Sequence, residues 1–464
     1  MPKKFSNETF RNSTPSWANA CVGNNGAPDA VDYAEGFADA AKVLLEAVLR
    51  HRGLRHSTDT FVYPICFNMR HSIELYLKSA IEALRPLVHH GLRLEEINTE
   101  TSHDIGRLWT YFKEHSVAID RRYRKIVELL DRDVMDFAEV DATGQVFRYP
   151  FGRENQKHLT DLAIINLGVL WKKFGALIDN LRTLNYTGRF LNDEYRLKTY
   201  TAHLSRFDLV CVAYKLPPKH GWDTTEFDEA KNAIRQRFDL SSNEFTRAVN
   251  LIKENLELAA IIEAPRPLLH TDAGHLHTFF DTWCELHDLE VVKEWYSGAP
   301  VDVDVLLADK QTKDGFIEEI LADERKREET WPRLAAEMTP EAFGEIQALL
   351  YFARDNMRYC EALETQRELS VRDFRADSNA GEMRVRQSAF HLLDKTSALQ
   401  HVLNSLRFFG HVETVTDLVH RYGLDDCAGK LLEDSARWLE TRYGEASEAM
   451  REVLRHPANA TFLG

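Results

Sequence analysis

Apolar side chains recur at helical spacing along the first part of the chain, which predicts a series of amphipathic helices. Pro64 and Pro86 bracket the second apolar stripe, and Ser102 is a candidate N-cap for the third helix. Besides this third helix, the apolar stripes predict helices over 31–50, 65–84, 119–137 and 155–181. We therefore expect a helical bundle over residues 30–185, behind an N-terminal extension of residues 1–29.

The periodic pattern breaks near the end of this bundle and resumes further on. Gly188 suggests a linker over 185–193, and a weak alternation over 195–204 is typical of a strand. Ser241 and Glu244 form a capping box ahead of the next apolar run. Further helices are predicted over 245–262, 272–287, 314–338, 340–368, 386–409 and 424–441. The expected fold class is all-α, or nearly so.

Charge is distributed unevenly between the two parts. The chain has 464 residues and a net charge of −15, from 58 basic and 73 acidic residues. Residues 1–190 carry 25 basic and 24 acidic residues, which leaves 33 and 49 for 191–464, a net charge of −16. A near-neutral first part can approach a phosphate backbone, whereas the acidic part resists it. We interpret 186–464 as an acidic, mainly helical region of unknown role that offers a surface to a protein partner.

The sequence indicates neither a membrane nor an oxidising compartment. No apolar run approaches the roughly 20 residues that span a bilayer, and the basic start at Lys3 and Lys4 has no apolar run behind it. The six scattered cysteines form no Cys-x-x-Cys pair. These features predict a cytoplasmic protein with reduced thiols. Nucleotide-binding, dinucleotide-binding, zincin and α/β-hydrolase motifs are absent from the sequence, so we expect no cofactor and no metal.

The second predicted helix carries Arg70, Glu74 and Lys78 at intervals of four residues. One interpretation is a solvated salt-bridge ladder, in which each pair contributes about 0.2–0.5 kcal/mol. The other is an inward polar pocket near the helix start, where Arg70 holds a phosphate and His71 moves a proton.

Three further residues of the same bundle belong to this candidate pocket: His103, Asp104 and Arg148. Asp104 favours the positive N-terminal end of the third helix. Arg148 is expected to be a buried arginine that pairs with a carboxylate, either Glu74 or Asp104.

These motifs resemble those of bacterial proteins of the HEPN-like helical class, over about residues 30–185. The matching segments are Phe61-Val-Tyr-Pro64, Arg70-His71-x-x-Glu74-x-x-x-Lys78, His103-Asp104 before Leu108-Trp109, and Phe147-Arg-Tyr-Pro150. The resemblance implies a bundle of four or five helices. Active members of the class are metal-independent RNases, which use an arginine followed four to six residues later by a histidine, usually from both subunits of a homodimer. Other members lack this pair and serve as scaffolds or partner-binding modules.

Arg153 and His158 match that spacing at the predicted entry to the last helix of the bundle. In the nuclease that the resemblance implies, His158 takes a proton from a ribose 2′-OH or gives one to the leaving oxygen. Arg153 neutralises the charge that builds on the phosphoryl oxygens. Residues five apart on an ideal helix point about 140° away from each other, so convergence requires Arg153 to precede the regular helix.

Two functions therefore stay open. One is an RNA endonuclease of the toxin or anti-phage defence type, with Arg153 and His158 as the catalytic pair. The other is a non-catalytic, dimeric interaction or scaffold module. The basic run Arg121–Lys125 contacts RNA phosphates in the first case and is a solvated helix face in the second.

The second part of the chain offers one cluster of metal-ligand types, which consists of His270, Asp272, His275 and His277, with Cys284 and His287 downstream. Its spacing is not that of a zinc signature, so an ordinary polar helix start is the preferred interpretation. Cys360 lies in an apolar-rich predicted helix and is expected to be a buried structural thiol.

Overall fold

The computed structural model describes residues 7–15, 18–23, 28–88, 94–152, 155–297, 313–357 and 359–432. Over these residues the regular structure is helical, and extended segments pair only at one isolated antiparallel bridge, between Phe151 and Lys157. The all-α prediction is thereby confirmed. The chain divides into two compact units, Met1–Arg196 and Leu197–Gly464.

The described part of the first unit is built from long helices packed around a central one. They are α1 (Ala30–Arg50), α2 (Thr58–Leu84), α3 (Ile105–Ile119), α4 (Tyr123–Asp141) and α5 (Leu167–Arg196). Helix α2 is central because it packs against α1, α3 and α5 and also touches α4. The large side chains buried between these helices are Tyr76, Trp109, Phe112, Tyr123 and Phe174.

Local capping sets where two of these helices begin, and it corrects the predicted starts. Asp104 caps α3 by accepting the backbone N–H of Arg107 at 2.9 Å, so the predicted cap, Ser102, is wrong. Helix α2 begins before Pro64, which lies inside it. The proline lacks the N–H that would bond to the carbonyl of Thr60, a cost that the buried position of α2 offsets.

Helix α5 begins later and ends later than predicted. Asn166 caps its first turn by accepting the backbone N–H groups of Gly168 and Val169 at 2.9 and 3.0 Å, so the predicted helical start at 155 is wrong. At its other end, α5 runs through the predicted linker, 185–193, and takes in the first residues of the predicted strand. Neither the linker nor the strand is present in these described residues.

The residues that resemble a linker pack α5 against α2. Asn185 Nδ2 donates to the carbonyl of Tyr76 at 3.2 Å, and Asn192 Nδ2 donates to the carbonyl of Ala83 at 2.9 Å. A Cβ at Gly188 would lie 3.1 Å from the Cβ of Ala83. Small and amide side chains thus permit the close approach of two helices, and the bundle extends beyond its predicted end.

The described helices of the second unit surround two apolar clusters. They are α6 (Arg206–Lys215), α7 (Thr225–Phe238), α8 (Ser242–Glu254), α9 (Leu256–Ile261), α10 (Ala273–Leu286), α11 (Leu289–Ser297), α12 (Lys313–Glu337), α13 (Pro340–Arg354), α14 (Cys360–Ala380), α15 (Glu382–Leu393), α16 (Ala398–Phe408), α17 (Val412–Arg421) and α18 (Ala428–Leu431). Helices α6 through α9 form one cluster. Helices α10 through α18 form the other, with α13 at its centre.

Three of the predicted helices are broken in two: 245–262, 340–368 and 386–409. Asn255 ends α8 and caps α9 by accepting the backbone N–H of Leu258 at 3.0 Å. The capping box is confirmed, since Ser241 Oγ accepts the Glu244 N–H at 3.3 Å and Glu244 accepts in return. The predicted helix over 424–441 contains α18, and its second half lies outside the described residues.

Helices α13 and α14 approach each other closely at a glycine. A Cβ at Gly344 would lie 2.6 Å from the Cα and 2.7 Å from the backbone nitrogen of Val371. A side-chain carbon does not fit at such distances from the backbone, so this helix pair requires glycine at the contact.

Candidate acid–base site

One face of α2 directs polar side chains toward the segment that precedes α3. Glu74 is at their centre with only 4 % of its side chain exposed, and its carboxylate contacts Arg70, Lys78 and His103. Lys78 Nζ lies 2.8 Å from Glu74 Oε1. We name Arg70, His71, Glu74, Lys78 and His103 the Glu74 cluster. Because Arg70 and Glu74 are buried, the interpretation as a solvated ladder is wrong.

Arg70 is held largely by backbone carbonyls. Its Nε donates to the carbonyl of Asp141 at 3.2 Å, and its Nη2 donates to the carbonyls of Ala142, at 2.7 Å, and His103. Its Nη1 donates to Glu74. These bonds join α2 to the start of α3 and the end of α4. Since its donors are committed inside the protein, Arg70 is not placed to hold a phosphate.

The loop after α4 is shaped around this guanidinium. Gly144 has φ +77°, and a Cβ at this position would lie 3.0 Å from Arg70 Nη1. Asp141 Oδ1 accepts the backbone N–H groups of Gln145 and Val146 at 2.9 and 3.2 Å. The loop is therefore fixed both by the side chain of Asp141 and by Arg70.

Two imidazoles approach the two oxygens of Glu74. His103 Nδ1 lies 2.9 Å from Oε1, and His71 Nδ1 lies 3.9 Å from Oε2. A carboxylate only accepts hydrogen bonds, so it favours the tautomer that carries its proton on Nδ1. In that tautomer Nε2 is the atom that exchanges a proton with a substrate, as general acid–base catalysis requires.

Glu74 remains ionised although it is buried. Burial by itself raises the pKa of its carboxyl group, but the nearby imidazole of His71, the hydrogen bonds from Lys78 and His103 and the charge of Arg70 together lower the pKa by more than burial raises it. The resulting pKa of Glu74 lies well below the usual range for a carboxyl group. The cluster therefore keeps a fixed negative charge beside both imidazoles.

Aromatic rings pack against His71, and a second arginine lies over one of them. The ring centroid of His71 lies 4.4 Å from that of Phe37, edge to face, and 5.9 Å from that of Phe67, stacked. The guanidinium of Arg148 lies 5.7 Å from the centroid of Phe67 and 5.6 Å from that of Tyr149. A cation over aromatic faces is stabilised without a carboxylate partner.

Arg148 is exposed, so the prediction that it forms a buried ion pair with Glu74 or Asp104 is wrong. The buried arginine that pairs with Glu74 is Arg70. Sequence reasoning selected Arg148 for a different role and missed Phe67, because an aromatic residue on a helical stripe is typical of a core.

A groove of about 680 Å³ between α3 and α4 borders the Glu74 cluster at Asp104 and Ala142. Its charged lining residues are Asp104, Arg107, Arg132, Asp136 and Glu139. Carboxylates outnumber guanidinium groups there, which disfavours an RNA phosphate. Arg148, whose guanidinium lies over the Phe67 ring that stacks on His71, is the more favourable contact for an anion.

The structure does not place His158 at a helix entry. Helix α5 begins only at Leu167, and the backbone N–H of His158 donates to the carbonyl of Pro150 at 3.2 Å, within the connection before α5. Its Nε2 is buried without a hydrogen-bond partner, against the backbone of Gly152. Arg153 lies outside the described residues.

The basic run after α3 has a buried centre. Arg122 Nη2 lies 2.8 Å from Asp120 Oδ2 and 2.5 Å from Glu194 Oε1, and all three side chains are almost fully buried. The arginine therefore joins the start of α4 to the end of α5. Neither an RNA-binding patch nor a solvated helix face describes this residue.

Two histidines of the candidate metal cluster, His275 and His277, bind separate carboxylates. His275 Nδ1 lies 2.7 Å from Asp272, and His277 Nε2 lies 2.6 Å from Asp417. No group of three or more metal-ligand side chains is assembled in the described part of the chain. Cys360 is buried, and burial raises the pKa of its thiol to about 12, as suits a structural thiol.

Comparison of this chain with protein-family models, with curated proteins and with solved structures gives no match. None of the helices in the described residues combines the length and the apolar character that crossing a bilayer requires. Function is therefore argued from the site itself.

Proposed function

We propose that the first unit is a metal-independent endoribonuclease of the toxin or anti-phage defence type, which acts in the cytoplasm as a homodimer. The observation that carries the proposal is the placement of two imidazoles on one buried carboxylate. The resemblance to HEPN-like proteins supports the same class of reaction. The proposed acid–base pair is His71 and His103, whereas the spacing motif points to Arg153 and His158.

In this reaction one imidazole of the pair takes the proton of a ribose 2′-OH. The 2′-oxygen attacks the adjacent phosphorus, the bond from phosphorus to the 5′-oxygen breaks, and the other imidazole protonates that leaving oxygen. The products are a 2′,3′-cyclic phosphate and a 5′-hydroxyl. Glu74 orients the imidazoles, and Arg148 offers a cation to the phosphate.

The test is incubation of the purified full-length protein with total RNA in the presence of EDTA. We expect cleavage that leaves 2′,3′-cyclic phosphate ends, with rates lowered about 10²-fold or more by His71→Ala and by His103→Ala. His115→Ala is the matched control, because that imidazole packs against the ring of Tyr111 in the same unit and makes no recorded contact with Glu74. Its rate should stay within about twofold of the wild type.

Two results would count against the proposal. Absence of cleavage by the wild type contradicts a nuclease. Cleavage that His158→Ala or Arg153→Ala abolishes, while His71→Ala and His103→Ala cut normally, moves the chemistry to the spacing motif. Circular dichroism spectra of all variants show whether a loss of rate follows from a loss of fold.

The second candidate function is a non-catalytic, dimeric interaction or scaffold module. The connection before α5 and its first turn expose large apolar side chains: Tyr149, Phe151, Ile164, Val169 and Trp171. Apolar surface left in water favours burial against a partner. We assign a second copy of this chain as that partner, because the HEPN-like resemblance implies dimers.

Light scattering after gel filtration tests this assignment. We expect a dimer for the wild type and a monomer for Ile164→Asp, since Ile164 is 86 % exposed. Leu54→Asp is the control, because Leu54 is equally exposed but lies between α1 and α2. A monomeric wild type at micromolar concentration contradicts the dimer in both candidate functions.

A further inference from the structure

A groove in the second unit runs along one side of α14. Its volume is about 530 Å³, and the segment before α10 contributes Leu269 and His270 to it. Helix α14 contributes Arg367, Arg372 and Arg375. We name this site the arginine groove. At 100° per residue, the three arginines occupy one half of the circumference of α14.

The arginines differ in how firmly they are held. Arg367 is mostly buried, 3.5 Å from the buried carboxylate of Glu345. Arg375 pairs with Glu341 at 2.6 Å, and Arg372 pairs with its neighbour Asp373 at 3.0 Å.

Arg372 and Arg375 remain accessible to a ligand. The side chains of Arg372 and Arg375 are 69 % and 57 % exposed, and ion pairs with that exposure contribute little to stability. Glu368 also lines the groove, so a ligand with a single negative charge gains little there. A ligand with two or more negative charges competes successfully with these carboxylates for the guanidinium groups.

Both walls of the groove are fixed without a ligand. Glu345 accepts the backbone N–H groups of Leu269 and His270 at 3.0 and 2.7 Å, which holds the segment before α10 against α13. On the other side, Gly344 sets α14 directly against α13 at Val371. A site that is already ordered loses little conformational entropy when a ligand binds.

We propose that the arginine groove binds a small phosphorylated ligand that carries at least two negative charges, such as a nucleoside diphosphate. Guanidinium groups bind phosphate oxygens through paired hydrogen bonds. The volume lies in the range of about 300–1,000 Å³ that is typical of small-molecule sites. Leu269, which is largely exposed, supplies apolar surface for the organic part of the ligand. The site is independent of the Glu74 cluster and of the function proposed for it.

Isothermal titration calorimetry of the full-length protein with ADP, and separately with pyrophosphate, tests this site. We expect saturable binding of ADP that weakens as salt is added. Arg372→Ala and Arg375→Ala should each weaken it at least tenfold. Arg354→Ala is the matched control, because Arg354 also pairs with the residue that follows it, Asp355, and should change the affinity less than twofold.

The two probes divide the outcomes. Equal affinities for ADP and pyrophosphate show that the phosphates supply the binding energy, and tighter binding of ADP shows that the apolar surface contributes; both results support the site. No binding of either probe at millimolar concentration overturns it, as does binding that Arg372→Ala and Arg375→Ala leave unchanged. A third titration uses an oligo-glutamate peptide, and binding of that peptide alone assigns the groove to a protein partner and also overturns the proposal.

Discussion

Arg70 and Glu74 lost their hydration when the first unit folded, and their contacts replace it. The two buried charges pair with each other. Glu74 also binds Lys78 and His103, and Arg70 also donates to three backbone carbonyls. A buried ion pair of this kind adds little net stability against an apolar replacement, but the loss of one partner leaves an unpaired charge in the core.

Glu74→Gln is therefore expected to lower the free energy of unfolding of the first unit by about 3–5 kcal/mol. Urea unfolding followed by circular dichroism measures this change. Glu46→Gln is the control, because Glu46 forms a pair with Arg50 at the same spacing on the surface of α1. It should cost no more than about 0.5 kcal/mol. Equal losses in the two variants would contradict the buried role of Glu74.

The depressed pKa of Glu74 also predicts a dependence on pH. Burial opposes ionisation, yet the surrounding cations hold the folded-state pKa below its unfolded value. The ionised form then stabilises the folded state above the unfolded pKa of about 4.3, and this contribution is lost progressively as the pH falls below that value. The difference in the free energy of unfolding between the wild type and Glu74→Gln should therefore be smaller at about pH 3 than at about pH 6. A difference that is constant over that range would refute the assigned shift.

The residues of the Glu74 cluster could be selected from the sequence, but their roles could not. Arg70, Glu74 and Lys78 share a helix face by spacing alone, and His103 enters by resemblance. The three backbone carbonyls that bind Arg70 have no signature in the sequence, because every residue carries a carbonyl. The sequence therefore left Arg70 open as a phosphate ligand, and the structure makes it a structural residue.

At the scale of helices, glycine and asparagine mark close packing in this protein as well as turns. Gly188 and Asn192 have the composition of a linker, but they lie inside α5 where it meets α2. A sequence read on its own cannot distinguish the two cases, because the deciding factor is the neighbouring helix. The broken helices in the second unit illustrate the opposite error, since apolar periodicity continues across Asn255 although the helix does not.

The contact of α13 with α14 gives a prediction with an unusual sign. Alanine is favoured over glycine in a helix by about 1 kcal/mol, yet Gly344→Ala should destabilise the second unit by about 1–3 kcal/mol, because its Cβ meets the backbone at Val371. Gly36→Ala in α1 is the control, since open space surrounds that position and the change should stabilise the first unit. Thermal unfolding of both variants measures the two signs, and stabilisation by Gly344→Ala would contradict the packing.

At the scale of the whole chain, the end of the first unit lies eleven residues beyond its predicted end, from 185 to 196. Those residues complete the buried group around Arg122, because Glu194 binds its guanidinium and Tyr195 Oη donates to Asp120 Oδ2 at 3.3 Å. The charge asymmetry of the sequence was a correct guide to composition. The net negative charge of 191–464 did not predict the arginine groove, because a net charge does not show which residues share a surface.

A fragment that ends at 196 should therefore be more stable than one that ends at 185. The shorter fragment leaves the Arg122 site with one buried carboxylate in place of two, and it removes the buried side chains of Leu191 and Tyr195 from α5. We expect its melting temperature to be lower by at least about 10 °C. Differential scanning calorimetry of the two fragments measures this, and indistinguishable melting would place the boundary at the earlier position.

The hydrogen bonds from Arg70 to main-chain oxygens determine which sequence changes this protein tolerates during evolution. A side chain that binds carbonyls responds to the path of the backbone and not to the identity of the residues on it. Exchanges of side chain at Ala142 thus leave the bond from Arg70 intact. Insertion or deletion of one residue between Asp141 and Gly144 moves a carbonyl and the crowded glycine out of register together. The Arg70 site is consequently far more sensitive to the length of this loop than to the identity of its side chains.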